Sequence, residues 1–108
     1  MDKTSKYLFD ISNSIQLIEN FIIGIENYRA FQEDIKTQSA VERQLSIIGE
    51  AINKLRQENP VIALNNIKQI VDFRNRIIHS YDNIDASIVW VIVKNHLPIL
   101  KEEINGLL

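Results

Sequence analysis

Tyr7, Ile11, Ile15, Ile18, Ile22 and Ile25 recur at steps of three and four. That spacing lays side chains along one face of an α-helix and does not suit a strand, which alternates at a period of two. It predicts a first helix from about Ser5 to Ile25, ended by Gly24 and the polar stretch behind it. A shorter piece at Tyr28 to Glu33 reads either way. Val41, Leu45, Ile48, Ile52 and Leu55 predict a second long helix from about Thr37 to Glu58. The run "ENP" stops it, because the residue before a proline avoids the helical region. A third helix starts near Leu64 or Asn65 and ends at the polar turn "SYDNID", in which Asp85 is placed to cap a fourth. Ile88 to Val93 is apolar nearly all round, so that last helix is expected to be central. Pro98 should kink or interrupt it, since it has no N–H to bond residue 94. Four helices with short connections predict an all-α, up-and-down four-helix bundle. A length of 108 residues predicts one domain, 1–108.

Composition narrows the chemistry. There is no cysteine, which excludes disulfides and thiolate-bound metals. The N-terminus has no apolar signal core, and "IVWVIV" is far too short to span a bilayer, so the expectation is a cytoplasmic chain with no membrane partner. No H-E-x-x-H is present, Gly24, Gly49 and Gly106 form no phosphate loop, and no serine sits in a nucleophile elbow. Neither a metal nor a cofactor is expected. The net charge of -2 gives no global attraction to nucleic acid, so any such contact must come from a local patch.

The stretch "RNRIIHSY", Arg74 to Tyr81, gathers reactive side chains on the third helix. With Ile67 at the origin and 100° per residue, Ile67, Ile70, Val71, Ile77 and Ile78 fall on one apolar stripe. Lys68, Asp72, Asn75, Arg76 and His79 fall opposite. Arg74 lands inside the apolar stripe, where an unpaired charge would cost several kcal/mol. Three readings stay open: an ion pair with a buried carboxylate, a helix that unwinds before His79, or a stripe facing a second subunit across a wet cleft. Asn75 and His79, four apart, are neighbours, and the amide can orient the imidazole. Taken singly, these residues also read as a solvated polar face.

RNA carries its own nucleophile, the 2′-hydroxyl. Its cleavage needs a base, an acid for the leaving 5′-oxygen, and a cation for the crowded phosphorus; a metal is not required in principle. His79 suits the proton transfers and Arg74 the phosphate. One histidine cannot do both tasks, and His96 beside Pro98 reads as structural or incidental. A two-fold dimer supplies two His79 and two Arg74, and gathers Lys68 and Arg76 into an RNA-binding patch.

"FRNRIIHSY" resembles the R-x4-H-x-Y signature of HepT-like toxins within the HEPN superfamily of ribonucleases. "QSAVERQLSIIGEAINKL" resembles the second helix of that group and "IVWVIVKNHLPIL" its closing W…LP segment; "PVIALNNI" stands where the family often has I-P-W. The resemblance implies a HEPN-like homodimer and a metal-independent endoribonuclease, the toxin of a type VII-like two-gene system. It implies Arg74 and His79 as the catalytic pair, with Asn75 in support. It further implies that Tyr81 receives AMP from ATP through an MntA-like nucleotidyltransferase antitoxin. The alternative is a non-catalytic docking subunit for such an enzyme, which the acidic charge and the missing I-P-W favour. Glu50, in the matching "GEA", is a counter-ion for Arg74 or Arg43, or pairs with Lys54; Gly49 permits close helix approach.

Overall fold

Side-chain oxygens start most of the helices. In the computed structural model, which describes residues 2–79 and 84–108 (His79 by its backbone alone), α1 covers Lys3–Phe21 and α2 Tyr28–Glu33. Asp2 accepts from the Ser5 N–H at 2.7 Å, and Asn27 from the Ala30 N–H at 2.9 Å. The next helix, α3, covers Ile35–Glu58. Asp34 caps it, accepting from the Thr37 N–H at 3.0 Å and the Thr37 hydroxyl at 2.6 Å. Asp85 caps α5, Ala86–Val91, as its position in the sequence predicts. Each of these caps satisfies an N–H that the first turn leaves without a helical partner. Hydrogen bonds from the Thr37 and Ser87 hydroxyls hold the Asp34 and Asp85 carboxyls below their usual pKa, and the Ser5 backbone N–H does the same for Asp2.

Boundaries differ from expectation: α1 ends at Phe21, short of Ile25, α3 starts at Ile35, ahead of Thr37, and the start of the helix after α3 is set by a contact remote in sequence. The fourth helix, α4, covers Lys68–His79, starting later than Leu64 or Asn65. The Asn65 and Asn66 N–H groups donate instead to the Glu103 carboxylate at 2.8 and 3.1 Å, so the chain is pinned before the helix begins. At Pro98 the regular winding of the last segment is interrupted, as expected. The proline sits in the first turn of α6, Leu97–Leu107, and the strain is taken up just before it by a π-helical turn, Ile92–His96. There the Leu97 N–H reaches back five residues to the Ile92 carbonyl. Residues from Ala86 to Leu107 thus run as one continuous helical body.

The apolar stripes meet as their spacing predicts. Ile11 and Ile18 of α1, Val41, Leu45, Ile48, Ile52 and Leu55 of α3, Ile70 of α4, Val89 of α5 and Leu100 of α6 are fully or almost fully buried. Phe31 of α2 joins them and lies 5.2 Å from the Trp90 ring. α1 packs on α3, α3 on α4, and α6 on α1, an up-and-down bundle of four long helical bodies with α2 closing the α3–α5 edge. No described helix is long and apolar enough to cross a membrane. Two expectations for the core are corrected. The stretch Ile88 to Val93 is not buried all round, since Val91 is 45% exposed. In α4 the buried stripe includes Phe73, at 3% exposure, and leaves Ile78 at 45%. The helix is therefore rotated from an Ile67-centred stripe, and Arg74 moves to its flank.

Gly49 sets the spacing between α3 and α4. A Cβ there would lie 2.5 Å from the Arg74 Cβ and 3.3 Å from the Ile70 carbonyl oxygen, so the helices touch where the glycine has no side chain. Gly49→Ala tests this contact against helix propensity, which alone favours alanine by about 1 kcal/mol. The substitution should instead destabilise the fold by about 1–2 kcal/mol, the usual cost of overpacking. Urea unfolding should show a lower midpoint at unchanged slope.

Candidate functional site at the α3–α4 seam

With α4 pressed onto Gly49, the Arg74 side chain emerges beside the next residue of α3, Glu50. Its Nη2 donates to Glu50 Oε2, and its Nη1 donates to Asn75 Oδ1 at 3.1 Å. The Arg74 side chain is 23% exposed and that of Glu50 41%, with Lys54 Nζ 3.9 Å from the other Glu50 oxygen. Of the three readings open for Arg74, an ion pair is present but its carboxylate is half-exposed and not buried, and α4 stays helical through His79.

The surroundings are not dry. Arg74 lines a groove of about 640 Å³ that runs over α3, between the start of α1 and the last turns of α4. Glu50 and Asn75 each engage one N–H of a group that carries five in a fixed plane. Nε is buried without a partner, which leaves one hydrogen on each Nη nitrogen. Such an edge can grip two oxygens of one phosphate in parallel bonds.

The remaining expected residues are distributed around α4. Asn75 adjoins Arg74, and its amide oxygen is turned to the guanidinium. His79 ends α4, one turn beyond Asn75. Tyr81 lies outside the described residues. Lys68 is exposed and bonds Asp72 at 2.6 Å. Arg76 lines a second groove of about 330 Å³, on the α5 side of α4, together with Asp72, Ser87 and His96. A single protomer therefore holds Arg74 and Arg76 on different sides of one helix. Among the described residues, no three His, Asp or Glu side chains converge as a metal site would need.

Two groove residues escaped the sequence reading. Arg43 entered it only as a counter-ion for Glu50, yet it is exposed and lines the same groove as Arg74. Its spacing was the available signal, since seven residues are two helical turns and place Arg43 on the face of Glu50. Glu42, beside it, is partly buried, and burial raises its carboxyl pKa above 4.5. A raised carboxyl pKa means that the folded state binds the proton more tightly than the unfolded state. The stabilisation is complete below the unfolded value and is lost as pH rises through the folded one. Glu42→Gln should therefore raise stability at neutral pH and change nothing below pH 4.5, as urea unfolding over a pH series will show.

Comparison with known proteins adds the chemistry of relatives. Residues 11–107 match the family model described as ribonuclease HepT-like. A protein of Thermococcus cleftensis named "Probable ribonuclease HepT" is 38% identical over 99 residues, covering 88% of this chain and 86% of that one. A "Putative RNase" of Methanocaldococcus jannaschii is 35% identical over 102 residues, covering 91% and 90%. No solved structure matches the chain.

Proposed function

The chain belongs to the ribonuclease HepT-like family, and on that premise we propose that it is a metal-independent endoribonuclease with Arg74 and His79 as its catalytic pair. The observation that carries this reading is the placement of Arg74. A glycine contact and two hydrogen bonds fix the residue, and it lines an open groove. A side chain held in this way needs little reorganisation when charge develops on a phosphate.

In the proposed reaction the 2′-oxygen attacks phosphorus, forming the P–O2′ bond as the P–O5′ bond breaks. One His79 takes the 2′-proton, and the His79 of a second protomer gives a proton to the 5′-oxygen. The products are a 2′,3′-cyclic phosphate and a 5′-hydroxyl. Arg74 neutralises the non-bridging oxygens, and Asn75 holds Arg74 in place. The homodimer follows from the proton count, and it is also what would bring Lys68 and Arg76 to the RNA beside the partner copy's Arg74. The biological role we propose is that of a toxin. Its neutralising step is attack of the Tyr81 oxygen on the α-phosphorus of ATP, catalysed by an MntA-like nucleotidyltransferase antitoxin, with loss of pyrophosphate. An AMP group two residues from His79 adds bulk and negative charge where substrate phosphate must lie.

The second reading, a docking subunit with no activity of its own, draws on the Glu50–Arg74 pair, which already compensates the arginine's charge. Purified protein incubated with RNA in EDTA separates the two. Cleavage should proceed in EDTA and fall at least about 100-fold in Arg74→Ala and in His79→Ala. Cleavage that survives both substitutions removes the mechanism, and inactivity on every RNA together with harmless expression supports the docking reading. In protein coexpressed with the nucleotidyltransferase, intact mass should rise by one AMP or more, and Tyr81→Phe should abolish the gain.

A further inference from the structure

We propose that Arg43 forms an outer phosphate subsite for single-stranded RNA, so that the strand runs along α3 within the groove that Arg74 enters. This rests on the ribonuclease reading and extends it to where the substrate lies.

The placement is the first argument. Arg43 and Glu50 share one face of α3, two turns apart, which separates them by roughly 10 Å along the helix axis. Both line the groove, as does Arg74 on the facing helix. A strand whose phosphate sits on Arg74 therefore meets Arg43 farther along the same trough.

Charge is the second argument. The groove's cations are Lys6, Arg43, Lys54 and Arg74, and its acids are Asp10, Glu42 and Glu50. Lys6 is held by Asp10 at 2.8 Å, while Lys54 and Arg74 share Glu50. Among the described residues Arg43 is in no ion pair, unlike the other three cations of the groove. Arg43 thus keeps its full charge and its planar fork for an incoming phosphate. Tyr7, on the opposite wall, offers an aromatic surface of the kind on which bases stack. An acidic chain with a net charge of -2 needs such a local patch to hold RNA at all. Lys68 and Arg76 do not supply it within one protomer, since Lys68 is bonded to Asp72 and Arg76 faces another groove.

The test is the salt dependence of binding a fluorescent single-stranded RNA, measured on the full chain carrying His79→Ala so that the probe stays intact. Adding Arg43→Ala should weaken binding and flatten the slope of log affinity against log salt by about 0.7 for each phosphate no longer neutralised. Arg43→Lys should restore the slope. Arg29→Ala removes the same charge from exposed α2, where Arg29 pairs with Glu33 at 3.2 Å, and should leave the slope alone. In otherwise native protein, Arg43→Ala should lower kcat/KM about 10-fold on an oligonucleotide and less on a dinucleotide, which is too short to reach both arginines. An unchanged slope in Arg43→Ala, an equal change in Arg29→Ala, or no RNA binding by the parent overturns the proposal. Cleavage by native protein with an unchanged slope sinks the subsite and spares the ribonuclease. A flattened slope without any cleavage does the reverse.

Discussion

The seam between α3 and α4 depends on a missing methyl group. At Gly49 the two helices come so close that a Cβ could not be placed without moving the Arg74 Cβ. That approach puts the guanidinium beside Glu50 and Asn75, at the wall of the groove. Packing and chemistry share one contact here. The core stripe of α3 faces α1 and the buried side of α4, and the polar stripe next to it floors the groove.

The ion pair at this seam is not a major source of stability. Both partners are partly exposed, and such pairs contribute at most about 1 kcal/mol once solvent screening and side-chain ordering are counted. The bundle is held by the Ile, Leu and Val side chains between α1, α3, α4 and α6, with Phe31 and Trp90 closing one edge. What the Glu50–Arg74 contact supplies is orientation. It engages part of the guanidinium's donor set and leaves the rest in one fixed plane. A single carboxylate thereby decides which donors a ligand in the groove can meet.

How much of this was legible in the sequence depended on how local the cause was. The stripes of α1 and α3 follow from side-chain spacing alone, and the cap at Asp85 from a short polar residue before an apolar run; the cap at Asp34 was not read from the sequence. The pairing of Glu50 with Arg74 was one of several counter-ion choices, and the role of Gly49 an expectation from its neighbourhood; the packed helices select among them. The start of α4 was not legible, because the group that holds Asn65 and Asn66 is Glu103, far along the chain. The face of α4 was misjudged by anchoring the stripe on Ile67. Phe73 is the bulkier apolar residue, and burying it turns Ile78 outward. Arg43 was hidden for a plainer reason: an arginine on the polar side of a helix is ordinary until a groove is seen beneath it.

The π-helical turn at Ile92–His96 acts as a phase adjuster. A widened turn accommodates one residue more than regular winding would, which rotates everything downstream by about 100° relative to an uninterrupted helix. Leu100 and Ile104 point inward, and Glu103 reaches Asn65 and Asn66, only after that rotation. Removing one residue between Ile92 and His96 would restore regular winding and keep the tail's apolar face inward, whereas straightening the turn at full length would swing that face to water. In this closing segment the register of the backbone, more than the identity of any single side chain, carries the information that completes the bundle.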